Sequence, residues 1–226
     1  HHLDGHIFSL FIPEQKPSFP FLCLTVSGGH TRLTLVRDYF DQEILGDTLD
    51  DAIGEAFDKA AKLLGFPYPG GPQIDKHSQN GNPDAYRFPV PKAPGYHFTF
   101  SGIKTSFLNF IKKSQKEQPD FVEKELNHIC ASYQHALVSI VLNKLFQAAK
   151  EYQINDLAIV GGVSANRWLR NQFQDRCLSE QKQAFIPPFV YCTDNAAMIA
   201  MVGYHKFLRN EFCPQTCVPF TSGTGQ

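Results

Sequence analysis

Two histidines near the start of the chain, His2 and His6, have a spacing that could hold a metal ion. On a helix, residues four apart lie on the same face, so both imidazoles could bind one ion. Histidines at this spacing also occur on protein surfaces without a metal. The pattern differs from the HExxH helix of zinc peptidases, because Leu3 stands where the general-base glutamate would be. Far along the chain, Asp194 could be a third ligand, or could only favour the start of a helix.

A glycine turn organises the stretch from Phe21 to Val36, which predicts a buried strand, a turn and a second, half-buried strand. The turn residues Ser27-Gly28-Gly29 lack bulky side chains, and both glycines can adopt positive φ. Adjacent free backbone N–H groups and the Ser27 hydroxyl suit an anion such as phosphate. The same residues would also make an ordinary β-hairpin turn.

A second glycine turn follows the apolar stretch Asp156 to Val160, which predicts a buried strand. The turn, Gly161 to Asn166, leads into a predicted helix through Trp168, and a strand, a Gly-Gly turn and a helix start suit a nucleotide. The side chain of Asn166 offers a donor and an acceptor, as an adenine edge or a ribose needs. The glycine spacing matches neither the Rossmann GxGxxG pattern nor a Walker loop.

The helix predicted after residue 48 carries apolar residues on one stripe and several acids near its start. We interpret Thr48 as its N-cap, with Asp51 completing a capping box, and Gly65 as the residue that ends it. The acids could simply complement the helix dipole. Alternatively, Asp58 faces a cleft and accepts hydrogen bonds from sugar hydroxyls.

The middle of the chain is turn-rich. Residues 67–72 predict a rigid loop with Gly71 open to close approach, and residues 73–95 predict an insertion over a cleft. Lys104 could contact a phosphate or be solvated. The basic cluster at 112–116 is expected to end a helix, or to contact nucleic acid.

The second half is dominated by the longest predicted helix, Phe121 to Tyr152. Near the end, residues 187–192 predict a strand, and Thr193 is interpreted as the cap of a helix whose first turn contains Asp194.

Composition limits the protein class. The 226 residues are 42% hydrophobic with a net charge of −1, so a sizeable core is expected and bulk basicity for nucleic acid is absent. The six cysteines include no CxxC pair, which favours a reduced, cytoplasmic protein. Cys213 and Cys217 could bind a metal together, form a disulfide or be two loop thiols. No run of about 18 apolar residues predicts a membrane span. The chain opens without Met, which we interpret as a start inside a longer protein.

Taken in order, these motifs resemble the bacterial TsaD family, the tRNA N6-adenosine threonylcarbamoyltransferases. The resemblance covers essentially the whole chain. The matching segments are His2-Leu3-Asp4-Gly5-His6, Val26 to Thr31, Asp50 to Lys59, Tyr68 to Pro72, Phe100 to Thr105, Gly161 to Asn166 and Cys192 to Asn195.

The resemblance implies an α/β fold of the actin-like, sugar-kinase-like (ASKHA) type, with two ribonuclease-H-like lobes around a nucleotide cleft. It also implies that the second lobe is complete and that most of the first lobe, with its acidic catalytic motif, is missing. We therefore divide the chain into a first-lobe remnant at 1–20, the second lobe at 21–192 with an insertion near 66–105, and a returning helix and tail at 193–226. This segment alone is expected to be inactive.

By the same resemblance, the family transfers a threonylcarbamoyl group from threonylcarbamoyl-adenylate to N6 of the adenosine 3′ to the anticodon, in tRNAs that read codons beginning with A. It is cytoplasmic, works with the subunits TsaB and TsaE, and carries one Fe²⁺ or Zn²⁺ per subunit. The implied metal ligands are His2, His6 and Asp194. The implied substrate-binding residues are Thr25, Val26, Ser27, Gly28, Gly29, Asp58, Gly71 and Asn166.

Three rival functions share parts of this pattern. A zinc glycopeptidase would use the two histidines but lacks the general-base glutamate. An ASKHA phosphotransferase shares the fold, but kinases hold magnesium through oxygen ligands. A non-catalytic scaffold would not need the metal ligands.

Overall fold

A computed structural model describes residues 1–214 and 216 of the chain. In chain order, the strands are β1 Phe21–Val26, β2 Thr31–Asp38, β3 Asp41–Asp47, β4 Asp156–Val160 and β5 Gln183–Phe185. The helices are α1 His2–Phe8, α2 Ile53–Leu63, α3 Gly70–Ser78, α4 Ser101–Glu117, α5 Phe121–Glu151, α6 Arg167–Ser179 and α7 Ala196–Leu208. Short 3-10 turns lie at Ser9–Phe11, Gly162–Ala165 and Phe189–Tyr191. In the portion described, no helix has the length and apolarity that a membrane crossing needs.

The strands form one five-stranded sheet in the order β3-β2-β1-β4-β5. The β1–β2 and β2–β3 pairs are antiparallel, whereas β4 lies parallel to both β1 and β5. The predicted hairpin is therefore confirmed. Since β1 and β4 run in the same direction, the two glycine turns that follow them emerge at the same edge of the sheet.

Strand β1 is buried along its whole length because both faces of the sheet are covered. Leu22, Leu24 and Val26 face a large core with α2 to α6, whereas Phe21 and Cys23 face a smaller core built on the α1 region. The prediction of a half-buried β2 was wrong for the same reason: Thr34, Leu35 and Val36 are all buried.

Helix α2 starts later than the predicted capping box. Thr48 donates its hydroxyl hydrogen to the carbonyl of Asp51, and the helix begins at Ile53. The Ile53 N–H is instead accepted by the buried Thr31 hydroxyl of β2, 2.8 Å away. The cap comes from a different element, which a local motif does not reveal. Gly65 does end the helix as predicted, with φ +82°.

Three further predictions of secondary structure were wrong. Residues 70–78 form α3, where a loop and the beginning of an insertion were expected. Residues 189–191 form a 3-10 turn, and the strand in this region lies earlier, as β5. Helix α7 is capped by Asn195, whose side chain accepts the Met198 N–H, so Thr193 is not the cap and Asp194 lies before the helix. The long helix α5 is confirmed.

The two ends of the described chain pack together, since α1 contacts α7. A Cβ on Gly5 would lie 3.1 Å from side-chain atoms of Met198 and Ile199, so the helices approach closely at this glycine. The division at residues 20 and 192 stays a prediction. Cys217, one half of the pair considered with Cys213, lies outside the described residues.

Candidate active site

A cavity of about 850 Å³ lies at the edge of the sheet where the two glycine turns emerge. The β1 turn and the start of α2 form one wall, the start of α3 forms the second, and the β4 turn with the start of α6 forms the third. The residues that line it are Gly28, Gly54, Phe57, Asp58, Tyr68, Pro69, Gly71, Pro72, Asp75, Lys76, Gln79, Gly162, Val163, Ala165, Asn166, Arg167 and Thr193.

The turn after β1 is closed by its own backbone. The Ser27 N–H donates to the His30 carbonyl (2.8 Å), and the Ser27 hydroxyl accepts the His30 N–H (3.0 Å). The N–H groups of Gly28 and Gly29 have no partner among the described residues. Neither glycine adopts the positive φ that was considered for them, and a Cβ at either would meet no atom within 4 Å. An anion could therefore approach the Gly28 and Gly29 N–H groups directly, whereas the Ser27 N–H is already used.

The turn after β4 has a different construction. Gly161 has φ +92°, and a Cβ there would lie 2.3 Å from the Val26 carbonyl oxygen. The Asn166 side chain caps α6 by accepting the Leu169 N–H (2.8 Å), and its amide donates to the buried Gln134 side chain (2.6 Å). Both ends of the Asn166 amide are therefore engaged within the protein.

Asp58 projects from α2 towards the start of α3. Its Oδ1 accepts the N–H groups of Gly70 (2.8 Å) and Gly71 (3.3 Å), so one carboxylate oxygen caps α3 from the neighbouring helix. A Cβ on Gly70 would lie 2.2 Å from that of Ala61, which explains why this close helix approach needs glycine. The second oxygen of Asp58 is the one available for a ligand in the cavity.

A second carboxylate, Asp75 of α3, also lines the cavity. Its Oδ2 accepts the Arg167 N–H at 3.4 Å, whereas its buried Oδ1 has no hydrogen-bond partner among the residues described. Burial raises the pKa of Asp75, and the backbone N–H groups at the start of α6 oppose that shift. A buried acceptor without a partner carries an energetic cost, and it marks Asp75 as a strained polar group beside the cavity.

Three neighbouring acids have structural roles. Asp50 caps α4 by accepting the N–H groups of Phe100 (2.8 Å) and Ser101 (3.3 Å). Asp51 forms ion pairs with Lys59 (2.7 Å) and Lys104 (2.9 Å), so Lys104 is neither fully solvated nor free for a phosphate. Glu55 also pairs with Lys59.

Beside the sheet edge lies a cluster of histidines, His2, His6 and His30. The Nε2 of His6 lies 3.0 Å from Oδ1 of Asp194, so residues from opposite ends of the described chain meet. Burial lowers the pKa of His6, and Asp194 opposes this shift in part, so the site favours the neutral imidazole. The ring of His2 is 6.2 Å from that of His6 and 5.2 Å from that of His30, measured between centroids.

The expected metal trio is formed only in part. Within residues 1–214 and 216, no three His, Cys, Asp or Glu side chains are placed to hold one metal ion together. The donor set nevertheless suits a metal, because two imidazoles and a carboxylate leave positions for substrate oxygens. In addition, the buried Nδ1 of His6 has no partner among the residues described.

Known proteins match this chain both in sequence and in fold. The family model described as "TsaD: tRNA N6-adenosine threonylcarbamoyltransferase" matches residues 1–201. The chain belongs to the TsaD family. Proteins named tRNA N6-adenosine threonylcarbamoyltransferase are 54% identical in Cytophaga hutchinsonii and 50% identical in Porphyromonas gingivalis. The first match spans 93% of this chain and 62% of the relative, and the second spans 97% and 66%.

The chain thus covers a little under two thirds of its TsaD relatives. Neither relative is named a peptidase or a phosphotransferase. A crystal structure of full-length HypF in the phosphate- and nucleotide-bound form matches with a TM-score of 0.70 and 13% identity, over 94% of this chain and 43% of that one. HypF of T. kodakarensis matches with a TM-score of 0.60 and 15% identity, over 91% of this chain and 37% of that one. At this identity the likeness shows the fold alone, a mixed α/β fold that this chain shares with part of each HypF chain.

The substrate-binding residues implied by the TsaD resemblance divide into two groups. Gly28, Asp58, Gly71 and Asn166 line the cavity. Thr25, Val26, Ser27 and Gly29 are not among its lining residues, and the side chains of Thr25 and Val26 are buried in the sheet. Their backbone positions the turn. Whether these residues contact a substrate stays a prediction.

Sequence reasoning missed Asp75 and Tyr68. Asp75 was hidden because residues 73–95 were interpreted as an insertion, whereas the pair Ile74 and Ser78, both buried in α3, has helical spacing. Pro72 in the first turn was a further signal for a helix start. Tyr68 was quoted only as part of a motif, yet it lines the cavity with its side chain largely in solvent.

Proposed function

We propose that this chain is the substrate-holding part of a tRNA N6-adenosine threonylcarbamoyltransferase, which transfers a threonylcarbamoyl group from threonylcarbamoyl-adenylate to N6 of an adenosine next to the tRNA anticodon. One observation carries the proposal. A cavity of about 850 Å³ lies at the ends of the parallel strands β1 and β4, and residues of both glycine turns line it together with two carboxylates from α2 and α3. Family membership supports the same assignment.

Within this cavity the groups suit the parts of an acyl-adenylate. Gly28 lines the cavity and Gly29 follows it in the same turn. Their free N–H groups can bind the phosphate, because backbone donors bind anions without a rotamer cost. Asp58 and Asp75 can accept ribose hydroxyls, since Asp58 has one oxygen that does not cap a helix and Oδ2 of Asp75 has only a long contact, 3.4 Å, with the Arg167 N–H. Asn166 lines the cavity with a side chain of fixed orientation, since its amide already donates to Gln134.

The reaction places few demands on proton transfer by the protein. The N6 amine attacks the carbamoyl carbon, a C–N bond forms, the C–O bond to phosphate breaks, AMP leaves, and the amine proton passes to the departing phosphate or to water. The chain's own task is to hold the adenylate so that its carbonyl carbon lies close to the amine. Donors at the turn after β1 also stabilise the negative charge that develops on the leaving phosphate.

We also propose that His2, His6 and Asp194 hold one Fe²⁺ or Zn²⁺ ion. When bound, such an ion supplies Lewis-acid polarisation of the substrate oxygens. The buried His6, in a site that favours the neutral imidazole, and its contact with Asp194 support this assignment. His2 needs only a small adjustment, because its ring lies beside that of His6.

Elemental analysis of the purified chain tests the metal proposal. We expect about one Fe or Zn per chain, and loss of the metal in His6→Ala and Asp194→Ala, with His97→Ala as a histidine control outside the cluster. A metal content that does not change in either variant would contradict the assignment.

The partners and the compartment follow from the family and are part of the proposal. They are TsaB, TsaE, tRNA and the adenylate, in the cytoplasm. The chain spans about 62% of the Cytophaga hutchinsonii relative, and we propose that it is inactive without the remainder of such a protein.

Isothermal titration with AMP and with a non-hydrolysable threonylcarbamoyl-adenylate analogue tests the cavity. Binding should weaken by about tenfold in Asp58→Ala, which loses a ligand interaction of about 1.4 kcal/mol. It should be unchanged in Asp50→Ala, which removes a similar cap away from the cavity. If neither compound binds the intact chain, the cavity is not an adenylate site.

Transfer itself is tested with a chimera, in which this chain replaces the matched region of the Cytophaga hutchinsonii relative. With TsaB, TsaE, adenylate and tRNA, we expect threonylcarbamoylated adenosine by mass spectrometry of the digested tRNA. A folded chimera that binds the adenylate but modifies no tRNA would leave the chain as a nucleotide-binding module and refute the transferase proposal.

A further inference from the structure

We infer that the outer rim of the cavity is a docking surface for single-stranded RNA, in which Tyr68 stacks on an unpaired base and Lys62, Lys76 and Arg167 contact the flanking phosphates. The inference rests on the proposed function, because it names the surface that would present the tRNA loop to the cavity.

Tyr68 has the placement of a stacking platform. Its side chain is 85% exposed, although most tyrosines of the chain are at least partly covered. It lines the main cavity and also a smaller adjoining hollow of about 290 Å³, whose other residues include Lys62 and Pro67. An exposed aromatic ring between two concave surfaces can stack on a base that is splayed out of an RNA loop.

Three cations surround this ring. Lys62 ends α2 and lines the smaller hollow, whereas Lys76 and Arg167 line the main cavity. All three are exposed, and none forms an ion pair with any residue that the structure describes. By contrast, the nearby Lys59 is neutralised by Asp51 and Glu55. The rim therefore carries three cations outside any ion pair of the described residues, although the whole chain has a net charge of −1.

The acids and the cations differ in exposure. The carboxylates Asp58 and Asp75 are half-buried, and each also caps or approaches a helix start. The three cations are exposed. This arrangement fits an RNA whose phosphates stay outside while one nucleotide enters, because phosphates would be repelled by the acids inside.

A rival surface is the basic cluster of α4, where Lys112, Lys113 and Lys116 are also exposed. It is the cluster for which nucleic-acid contact was considered from the sequence. The cluster lines neither hollow and has no exposed aromatic residue in its own turn of helix. It provides a control with the same type of charge removal.

The test measures binding of the full chain to a fluorescent RNA stem-loop with an unpaired adenosine in its loop, by anisotropy over a range of salt concentrations. Tyr68→Ala should weaken binding about tenfold, within the range for loss of one base–aromatic stack, whereas Tyr68→Phe keeps the ring and the affinity. The plot of log K against log salt has a negative slope. In the double variant Lys62→Gln/Lys76→Gln, the magnitude of this slope should decrease by about one for each phosphate that the variant no longer binds. Lys112→Gln/Lys113→Gln should leave the slope unchanged.

Parallel titrations with AMP separate this inference from the proposed function. If AMP binds but the Tyr68 and Lys62/Lys76 variants bind RNA like the parent, the rim is not the docking surface.

Two other results also overturn the inference. One is an equal loss of RNA affinity in the α4 variant Lys112→Gln/Lys113→Gln, and the other is a chain that does not bind RNA at low salt. Weaker AMP binding in Tyr68→Ala with unchanged RNA binding would assign the ring to the adenylate and overturn the docking role. If the rim variants lose RNA affinity as expected but the chain does not bind AMP, the docking surface is supported and the adenylate site is refuted.

Discussion

The two glycine turns lie side by side at the ends of β1 and β4, yet they contain glycine for different reasons. After β4, Gly161 has φ +92°, and the Val26 carbonyl would be 2.3 Å from any Cβ. After β1, Gly28 and Gly29 have ordinary φ values and open space at their Cβ positions. The fold therefore requires glycine in the turn after β4 and permits other residues in the turn after β1.

This difference indicates where a ligand is expected. A glycine that neither the backbone nor the packing requires keeps space open beside two unpartnered N–H groups. The turn after β1 is therefore the better candidate for phosphate contact, and the turn after β4 is the better candidate for structural support. Alanine substitutions in each turn can separate the two roles.

The largest effect is expected for Gly161→Ala. The substitution combines a strained positive φ with a backbone clash, and we expect a loss of about 3 kcal/mol or more in the free energy of unfolding. Urea denaturation followed by circular dichroism measures it.

The matched variant is Gly28→Ala, which should change the free energy of unfolding by less than about 0.5 kcal/mol, because its Cβ meets no atom. It should nevertheless weaken the binding of AMP, since the added methyl group would occupy the approach to the N–H groups. Equal stability losses in the two variants would remove the distinction between the turns.

A smaller effect is expected from the two carboxylates that cap helices across space. Asp58→Ala and Asp50→Ala should each cost about 1 kcal/mol of stability, the usual loss for a helix cap. Only Asp58→Ala should also weaken AMP binding, because only Asp58 lines the cavity. A loss of AMP affinity in both variants would indicate that the effect acts through the fold.

The cost of Asp50→Ala should also depend on pH. Burial disfavours the charged form of Asp50, but hydrogen bonds from Thr99, Phe100 and Ser101 outweigh burial and lower its pKa. A lowered folded-state pKa stabilises the protein above the unfolded-state pKa, and that contribution is lost as the pH falls through the folded value. The gap in unfolding free energy between the parent and Asp50→Ala should therefore close in acid.

The parts of this fold that sequence could predict are those set by local pattern. The hairpin, the long helix α5, the strand–glycine–helix unit after Asp156 and the end of α2 at Gly65 follow from apolar periodicity and glycine position. Two of the predictions that were wrong, the start of α2 and the loop at α3, involve caps from distant elements. Thr31 caps α2 from 22 residues away, and Asp58 caps α3 from 12 residues away. Local motifs cannot reveal such partners.

The candidate site shows the same limit. The spacing of His2 and His6 placed both on α1, but their distance to Asp194 depends on α1 packing against α7. The motif containing Gly71 indicated close approach, but it could not reveal that Asp58 holds that turn. Asp75 was missed because its role depends on burial beside α6, and burial of one polar residue has no signature in a single sequence.

A stability change of the opposite sign is expected for Asp75→Asn, on the side of the cavity that faces the turn after β4. Burial raises the pKa of Asp75, so ionisation is less favourable in the folded protein than in the unfolded chain. Stability associated with Asp75 is therefore greatest below the unfolded-state pKa and declines as the pH rises through the folded value. Asparagine removes this decline, so the variant should be more stable than the parent at neutral pH, by less than about 1 kcal/mol.

In acid this advantage of Asp75→Asn should vanish, because the parent carboxyl group is then protonated and neutral as well. Urea unfolding at neutral and acid pH measures the difference, with Asp84→Asn as a surface control. AMP binding should weaken in the variant, because a neutral amide oxygen is a weaker acceptor for a ribose hydroxyl than a carboxylate. A variant that is less stable than the parent at neutral pH would show that the Asp75 carboxylate supports the start of α6, and is not an acceptor left open for a ligand.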